Sequence, residues 1–320
     1  NNFQYEIEYY GKILNANRSY YLTRTQPPFY SSLIVEIFEK TKDKTWLQSH
    51  LQTAIKEYET VWMMKGKRLT ENGLNRYLAE GIGKPPEAEE GHFHHEIAQY
   101  AKKANMSVEA YEKAYAKGKI ENSELDTYFV HDRSVRESGH DTSYRLEGIC
   151  ADLADIIQNE FNDSFIVGEK EYTSSYWLKK ASERKEKVNS LLWNEAKGMY
   201  FDYNFKTKKQ TNFVSATVFT PLWAKMASVE QAKKVIANAL PLLKEKGGIA
   251  SCTKESRGEI SKERPQKQWD YPNGWAPHQM MIWRGLQQYG FENELQELVY
   301  RWLYMITKNA VDYNGTIPEK

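Results

Sequence analysis

Cysteine is nearly absent from this sequence, which holds only Cys150 and Cys252 among 320 residues. Two cysteines are too few for a disulfide framework, so buried free thiols are expected. No apolar run approaches the roughly 20 residues of a membrane-spanning helix, and residues 1–10 lack the basic-then-apolar pattern of a signal peptide. We therefore expect a cytoplasmic location and no membrane partner.

A surplus of one charge is lacking as well, because 44 Lys and Arg residues face 43 Asp and Glu residues, for a formal net charge of +1. A nucleic-acid partner normally requires a basic excess, so none is expected, and a neutral substrate fits better. The sequence has no calcium-loop ligand series, no zinc motif and no phosphate-binding glycine loop. The cluster of His92, His94 and His95 could hold a metal, but its polar surroundings favour a solvated surface. We expect no cofactor in this chain.

Amphipathic helix patterns fill most of the chain, and no linker or change of composition divides it. Ser228 and Gln231 have the spacing of a capping box at the start of one helix. The patterns predict helices over residues 29–42, 47–62, 107–118, 173–197, 228–243, 277–289 and 291–308. The segments expected to be non-helical are residues 80–92, 129–143, 198–206 and 248–276, with a short hairpin over 199–204. We predict an all-α fold and a single domain over residues 1–320.

Residues 268–279, with the sequence QWDYPNGWAPHQ, are the most unusual stretch of the chain. Two tryptophans, two prolines, a glycine and a carboxylate make a poor helix and a poor strand, so the stretch is interpreted as a rigid loop. Aromatic faces beside a carboxylate suit a sugar, whose C–H groups stack on rings while its hydroxyls need hydrogen-bond partners. Composition alone leaves an alternative open, in which the tryptophans pack into the core.

A glycosidase usually needs two carboxyl groups, one to protonate the leaving oxygen and one to activate water or attack carbon. Residues 131–145 supply several acids, and Gly139 lets the backbone approach a ligand closely. Asp141 also stands where it could cap the following helix, and its spacing alone favours that structural role.

These segments resemble the trehalase family in its neutral fungal form. Residues 268–279 resemble the family signature Q-W-D-x-P-x-G-W-A-P, and residues 139–145 (GHDTSYR) resemble an element whose Asp is the general acid. The resemblance therefore implies that Asp141 is the acid, against the capping role. It also assigns sugar contacts to Arg136, Gly139, Trp269, Asp270 and Trp275, although Arg136 could instead form an ion pair with Glu137 or Asp132.

Three further stretches carry the resemblance. Residues 15–28 (NANRSYYLTRTQPP) are similar to a family motif in which Asn15, Arg24 and Gln26 line the sugar pocket, with Thr25 in place of the usual Ser. Residues 81–87 (GIGKPPE) are similar to an element whose Glu, here Glu87, binds hydroxyls. Residues 311–320 lead into a motif whose Glu is the general base, which implies that role for Glu319.

The resemblance implies an (α/α)6 toroid of helical hairpins, with long loops forming an active site at one end, and inverting hydrolysis of α,α-trehalose to two glucose molecules. Two alternatives are kept: another inverting (α/α)6 α-glucosidase, and a non-catalytic sugar-binding or regulatory relative. Family motifs expected beyond both ends suggest a fragment, or gaps hidden in the numbering. By family analogy, an absent N-terminal region could bind calcium and a 14-3-3 protein.

Overall fold

The computed structural model describes residues 1–138, 145–262, 266 and 270–317, without the side chains of residues 135–149. The chain divides into two compact units, which are described separately. Unit 1 comprises Asn1–Pro27, Arg76–Asp141 and Glu259–Gln266, and unit 2 comprises Pro28–Asn75, Thr142–Gly258 and Lys267–Lys320. That residues 1–320 form a single domain stays a prediction.

Helices dominate both units. In chain order, the α-helices are α1 (Asn2–Tyr10), α2 (Tyr30–Thr41), α3 (Lys44–Glu57), α4 (His94–Lys103), α5 (Val108–Ala116), α6 (Ser123–Ser138), α7 (Arg145–Glu160), α8 (Ser174–Leu191), α9 (Thr220–Trp223), α10 (Val229–Leu243), α11 (Lys254–Arg257), α12 (Ala276–Gln288) and α13 (Glu292–Asp312). Shorter helical turns cover Ser19–Tyr21 and Ala216–Phe219, and a π-helical turn, Tyr58–Trp62, extends α3.

In the described residues the strands are short, and each pairs with its neighbour along the chain. They are β1 (Phe165–Val167), β2 (Lys170–Tyr172), β3 (Trp193–Asn194), β4 (Met199–Tyr200), β5 (Tyr203–Asn204), β6 (Lys209–Gln210), β7 (Lys244–Glu245) and β8 (Gly248–Ile249). They form four two-stranded antiparallel ribbons, β1–β2, β3–β4, β5–β6 and β7–β8. No helix in the described part of the chain is long and apolar enough to cross a membrane.

The core of unit 1 lies between α4, α5 and α6. Phe93 and Phe129 meet edge to face, with ring centroids 5.0 Å apart, and Ile97, Tyr111 and Leu125 join the same buried cluster. Ser107 begins α5 as predicted, because its side chain accepts a hydrogen bond from the backbone N–H of Ala110.

Unit 2 has a larger core, to which β4, α9, α10 and α12 all contribute. The predicted capping box of α10 is confirmed: Ser228 accepts from the backbone N–H of Gln231, and the Gln231 side chain accepts from the backbone N–H of Ser228. Cys150 and Cys252 are buried free thiols, as expected.

Two of the predicted boundaries were wrong. Residues 129–138 are helical, because α6 continues to Ser138 and buries Leu125, Phe129 and Arg133 at intervals of four residues. The helix predicted over 173–197 ends at Leu191. Beyond it, β3 turns back on β4, and the Asn194 side chain closes the turn by accepting from the backbone N–H of Lys197.

The hairpin predicted over residues 199–204 was also wrong in its pairing. Its first two residues form β4, which pairs with β3, and its last two form β5, which pairs with β6. The aromatic stretch is thus shared by two ribbons. Residues 248–276 are mostly irregular where the structure describes them, as predicted, except for β8 and the short helix α11.

Candidate active site

Asn15, Arg24 and Gln26 come together in unit 1 because the chain doubles back on itself. The backbone N–H of Gln26 and the hydroxyl of Thr25 both donate to the carbonyl of Ile13, at 2.9 Å each. The Gln26 amide then donates to the backbone carbonyl of Asn15 at 2.7 Å. Three of the predicted sugar-binding residues are therefore neighbours in the structure.

Arg24 is the centre of this group. Its Nη2 donates to Oδ1 of Asn15 at 3.1 Å, and its Nη1 lies 2.5 Å from Oε1 of Glu87. Its guanidinium also lies over the ring of Tyr21, 4.7 Å from the centroid. Arg24 is only 5% exposed, and the Glu87 side chain 11%. We call Asn15, Arg24 and Glu87 the charged wall.

The loop that brings Glu87 to the wall is held at several points. Its backbone begins beside the Arg24 segment, where the N–H of Glu80 donates to the carbonyl of Thr23 at 3.0 Å. Further along, Nζ of Lys84 lies 2.6 Å from Oε1 of Glu112, which belongs to α5. From α6, Arg133 donates to two carbonyls of the loop, those of Gly81 and Gly83.

Arg133 and Glu112 were not singled out from the sequence. Their partners lie 28 to 52 residues away along the chain, so no local spacing could identify them. Burial lowers the pKa of Arg133, and nearby acidic groups, Glu87 among them, oppose that shift. The charged wall thus lies within an electrostatic network that includes Arg133.

The loop with the tryptophan signature belongs to unit 2, and hydrogen bonds to its backbone shape it. The N–H of Asn273 donates to the carbonyl of Asp270 at 2.9 Å, and the carbonyl of Asn273 accepts from the N–H of Ser251 at 2.7 Å. Gly274 packs so tightly that a Cβ there would lie 2.7 Å from the carbonyl oxygen of Ile249. Asp270 is buried in this turn.

Gln279 fixes the end of the same loop. Its side-chain amide donates to the carbonyl of Ile249 at 2.6 Å and accepts from the N–H of Ile249 at 3.0 Å, as a neighbouring strand would. Trp275 precedes α12 and is half-buried, with its ring edge-on to that of His278 at 4.9 Å. Hydrogen bonds thus hold the described part of the loop, residues 270–275, and Trp275 is not fully enclosed in the core.

The remaining predicted site residues lie outside the described part of the structure. Neither predicted catalytic group, Asp141 nor Glu319, is among the described residues, and the same holds for Gly139 and Trp269. The backbone of Arg136 belongs to α6, but its side chain is not described. Their roles stay predictions.

In the histidine cluster, His94 lies beside an acidic residue. Nε2 of His94 lies 3.2 Å from Oε2 of Glu112, the same carboxylate that binds Lys84. Within the residues that the structure describes, no group of three or more His, Cys, Asp or Glu side chains is arranged to hold a metal ion. The expectation that this chain carries no cofactor stays a prediction.

Comparison with known proteins identifies the family. A sequence model described as Trehalase matches residues 1–320. The chain belongs to the trehalase family. It is 48% identical to the cytosolic neutral trehalase of Neurospora crassa, an alignment that covers 100% of this chain and 47% of that protein. It is 47% identical to the cytosolic neutral trehalase of Kluyveromyces lactis, covering 99% and 45% respectively. The chain thus spans about half the length of the curated relatives it matches.

Solved structures agree with this assignment. Neutral trehalase Nth1 from Saccharomyces cerevisiae matches with a TM-score of 0.89 and 43% identity, over 98% of this chain and 61% of that chain. A GH63 mannosylglycerate hydrolase from Thermus thermophilus matches with a TM-score of 0.54 over 89% of this chain and 70% of that one, at 13% identity, which shows likeness of fold alone. The predicted class, all-α of the (α/α)6 type, is confirmed.

Proposed function

We propose that this chain carries out the inverting hydrolysis of α,α-trehalose to two glucose molecules. The observation that supports this function is the charged wall, in which Arg24 contacts both Asn15 and Glu87, three residues that the family resemblance assigns to sugar binding. Relatives that align with the whole chain are named cytosolic neutral trehalases, which supports trehalose as substrate and a cytoplasmic location.

The charged wall suits a sugar because a hydroxyl group both donates and accepts hydrogen bonds. The Glu87 carboxylate offers acceptors and the Arg24 guanidinium offers donors, held at fixed geometry by their mutual 2.5 Å contact. The Arg24 Nε is buried and has no hydrogen-bond partner among the described residues. Adjacent hydroxyls of a glucose ring match such a paired donor and acceptor.

The proposed chemistry uses two carboxyl groups on opposite faces of the sugar. Asp141 protonates the oxygen that bridges the two glucose rings, while Glu319 takes a proton from the water that attacks the anomeric carbon. Inverting enzymes of this kind separate the two carboxyl groups by roughly 6.5–9.5 Å, which leaves room for the water. The bond from carbon to the bridging oxygen breaks as the bond to water forms.

The other predicted residues hold the sugar in place. Arg136 binds hydroxyls through its planar guanidinium, and Gly139 allows the backbone near Asp141 to approach the ring. Gln26 completes the wall of unit 1. Trp269, Asp270 and Trp275 shape the pocket from the signature loop, where Trp275 offers a half-buried ring.

Replacing the general acid tests the proposal. Asp141→Asn in the full-length protein should lower kcat for trehalose by roughly 100- to 10,000-fold, the usual contribution of general acid catalysis, with little change in KM. Asp155→Asn is the matched control, because this exposed residue of α7 hydrogen-bonds within its own helix, to Asn159 at 2.9 Å. A kcat for Asp141→Asn close to that of the control would contradict the acid role.

The two alternatives are separated by substrate and by turnover. An α-glucosidase of different specificity would release glucose from maltose more readily than from trehalose. A non-catalytic relative would bind trehalose in calorimetry without releasing glucose. The proposal expects glucose from trehalose alone, with one product molecule of inverted anomeric configuration.

We propose no cofactor within this chain, and calcium binding through another region stays a prediction. Binding of a 14-3-3 protein likewise stays a prediction from family analogy. Neither a nucleic acid nor a membrane is proposed as a partner, since the charge balance offers no basic surplus.

A further inference from the structure

Arg133 is a charged residue in a position that normally belongs to an apolar one. It follows Leu125 and Phe129 along the buried stripe of α6 and is only 2% exposed. Burying a guanidinium costs several kcal/mol of hydration unless hydrogen bonds replace the lost water. A residue placed there at such a cost is expected to make contacts that an apolar side chain could not.

Those contacts are made with a single loop. One Nη of Arg133 donates to the carbonyl of Gly83 and the other to the carbonyl of Gly81. Both glycines have positive φ, 109° at Gly81 and 71° at Gly83, a conformation that other residues rarely adopt. The fork of one guanidinium therefore matches a backbone shape that the two glycines make possible.

The same loop delivers Glu87 to the charged wall. From Gly83 to Glu87 is four residues, and the prolines at 85 and 86 restrict the backbone between them. Because Arg133 holds the carbonyls of Gly81 and Gly83, it also limits where the Glu87 carboxylate can lie. The loop's contact with Glu112, through Lys84, lies on its more exposed side, since the Lys84 side chain is 34% exposed.

We propose that Arg133 is a positioning residue, which holds the loop of residues 80–87 so that Glu87 meets Arg24 in the geometry that binds a sugar hydroxyl. This inference rests on the proposed function. Arg133 itself acts through the loop and has no contact with substrate in the proposal. Unlike Arg24 and Glu87, Arg133 was not assigned a role by the family resemblance.

A buried arginine could also serve stability alone, and a second one provides the comparison. Arg184 of α8 in unit 2 is 4% exposed, and its Nη1 donates to Oδ1 of Asn75 at 2.6 Å. Like Arg133 it is buried and hydrogen-bonded to a distant part of the chain. Arg184 is not among the residues assigned to the site. Matched substitutions at the two positions therefore separate positioning from general stabilisation.

The test compares Arg133→Met, Arg133→Lys and Arg184→Met in the full-length protein. For each we would measure Tm, kcat and KM for trehalose, and hydrogen–deuterium exchange of the amides of residues 78–90. Arg133→Met should raise KM by roughly 10- to 100-fold, the effect expected when a binding group is displaced by about 1 Å. Arg133→Lys should recover part of that loss, because lysine keeps the charge and its N–H donors but lacks the planar fork that matches two carbonyls.

The exchange measurement makes the outcome decisive. We expect faster exchange at residues 78–90 in Arg133→Met and unchanged exchange there in Arg184→Met. Should both variants lower Tm equally while KM and loop exchange stay at wild-type values, Arg133 is structural only and the inference is overturned. If Arg133→Met does not fold, Arg133→Lys alone decides between the two outcomes.

A failure of the proposed function would look different. In that case the wild-type protein itself releases no glucose from trehalose. Loop exchange in the Arg133 variants then still reports whether this residue holds residues 80–87. Unchanged exchange overturns the positioning role, and faster exchange retains it for whatever ligand Glu87 contacts.

Discussion

Units 1 and 2 bury carboxylates in different surroundings. In unit 1, Glu87 lies 2.5 Å from the guanidinium of Arg24, and both side chains are nearly inaccessible to solvent. In unit 2, burial raises the pKa of Glu57 to about 7 and that of Asp152 to about 6. The nearby Trp62 side chain opposes the pKa shift at Glu57, and the hydroxyls of Ser31 and Ser32 oppose it at Asp152.

The two units use charge in different places. In unit 1 the buried charges fix the direction of groups that we propose bind sugar hydroxyls. In unit 2 the loop of the tryptophan signature depends on neutral contacts, such as those of Gln279 with Ile249. Binding groups are thus held by charge in one unit, and a loop is held by backbone hydrogen bonding and close packing in the other.

The largest expected effect comes from breaking the pair in unit 1. Arg24→Met should destabilise the protein by about 3–5 kcal/mol, because it leaves the Glu87 carboxylate buried without its guanidinium partner. Urea denaturation of the full-length protein measures this change. The same variant should lose most of its affinity for trehalose, as calorimetry would show.

The control is an ion pair that is exposed. Arg284 and Glu36 in unit 2 approach to 3.4 Å, with side chains 59% and 56% exposed. Arg284→Met should change the free energy of unfolding by less than about 1 kcal/mol, as is usual for surface pairs. Equal losses in the two variants would mean that burial of the unit 1 pair has no energetic importance.

The next effect, a change of about 3 kcal/mol in the free energy of unfolding, concerns the buried carboxyl group of Glu57 in unit 2. The pKa of Glu57 is raised from 4.5 to about 7 in the folded protein, so the folded state binds a proton more tightly than the unfolded state. Its contribution to stability is full below about pH 4.5 and is lost as pH rises through 7. Glu57→Gln removes the titration, so the difference in unfolding free energy between variant and wild type should grow in the variant's favour from about pH 5 to about pH 8.

Asp152→Asn provides a comparison within the same unit. Ser31 and Ser32 donate to its carboxylate at 2.7 and 2.9 Å, and its pKa of about 6 lies below that of Glu57. For Asp152→Asn too, the difference in unfolding free energy between variant and wild type should depend on pH. Its change should occur at lower pH than the change for Glu57→Gln. Two curves without pH dependence would show that neither carboxyl is desolvated as described.

The smallest expected effect concerns the signature loop. Gly274→Ala should cost about 1–3 kcal/mol by overpacking, because its Cβ would lie 2.7 Å from the backbone carbonyl of Ile249. Gly247→Ala is the control: its closest neighbour would be the flexible side chain of Met305, which can move aside. Thermal denaturation compares the two, and a cost at Gly247 equal to that at Gly274 would contradict the close packing of the loop.

Sequence patterns predicted best where the cause of a structure is local. The capping box of α10 needs only Ser228 and Gln231, three residues apart, and it forms as expected. The irregular backbone of residues 270–275 was foreseen from its proline and glycine. The family resemblance implied that Asn15, Arg24 and Glu87 all contact the sugar, but composition and spacing gave no sign that Arg24 would meet Glu87 from a distant part of the chain.

The errors have a common cause in long-range contacts. Residues 129–138 were expected to be non-helical. They form the end of α6 because Arg133, although charged, is satisfied by carbonyls of a distant loop. The helix expected to reach residue 197 ends at Leu191, where pairing of β3 with β4 replaces helical hydrogen bonds.

Short-range patterns in the sequence were enough to predict the helical class and several helix starts. These follow from short-range spacing, because capping, turn formation and amphipathic periodicity involve residues within a few positions of one another. The folded structure was needed to show that Arg24 lies between Asn15 and Glu87 and that Arg133 donates to two carbonyls of the loop that carries Glu87. Such contacts depend on which distant backbone carbonyls and carboxylates are buried together, and that is fixed only when the chain packs.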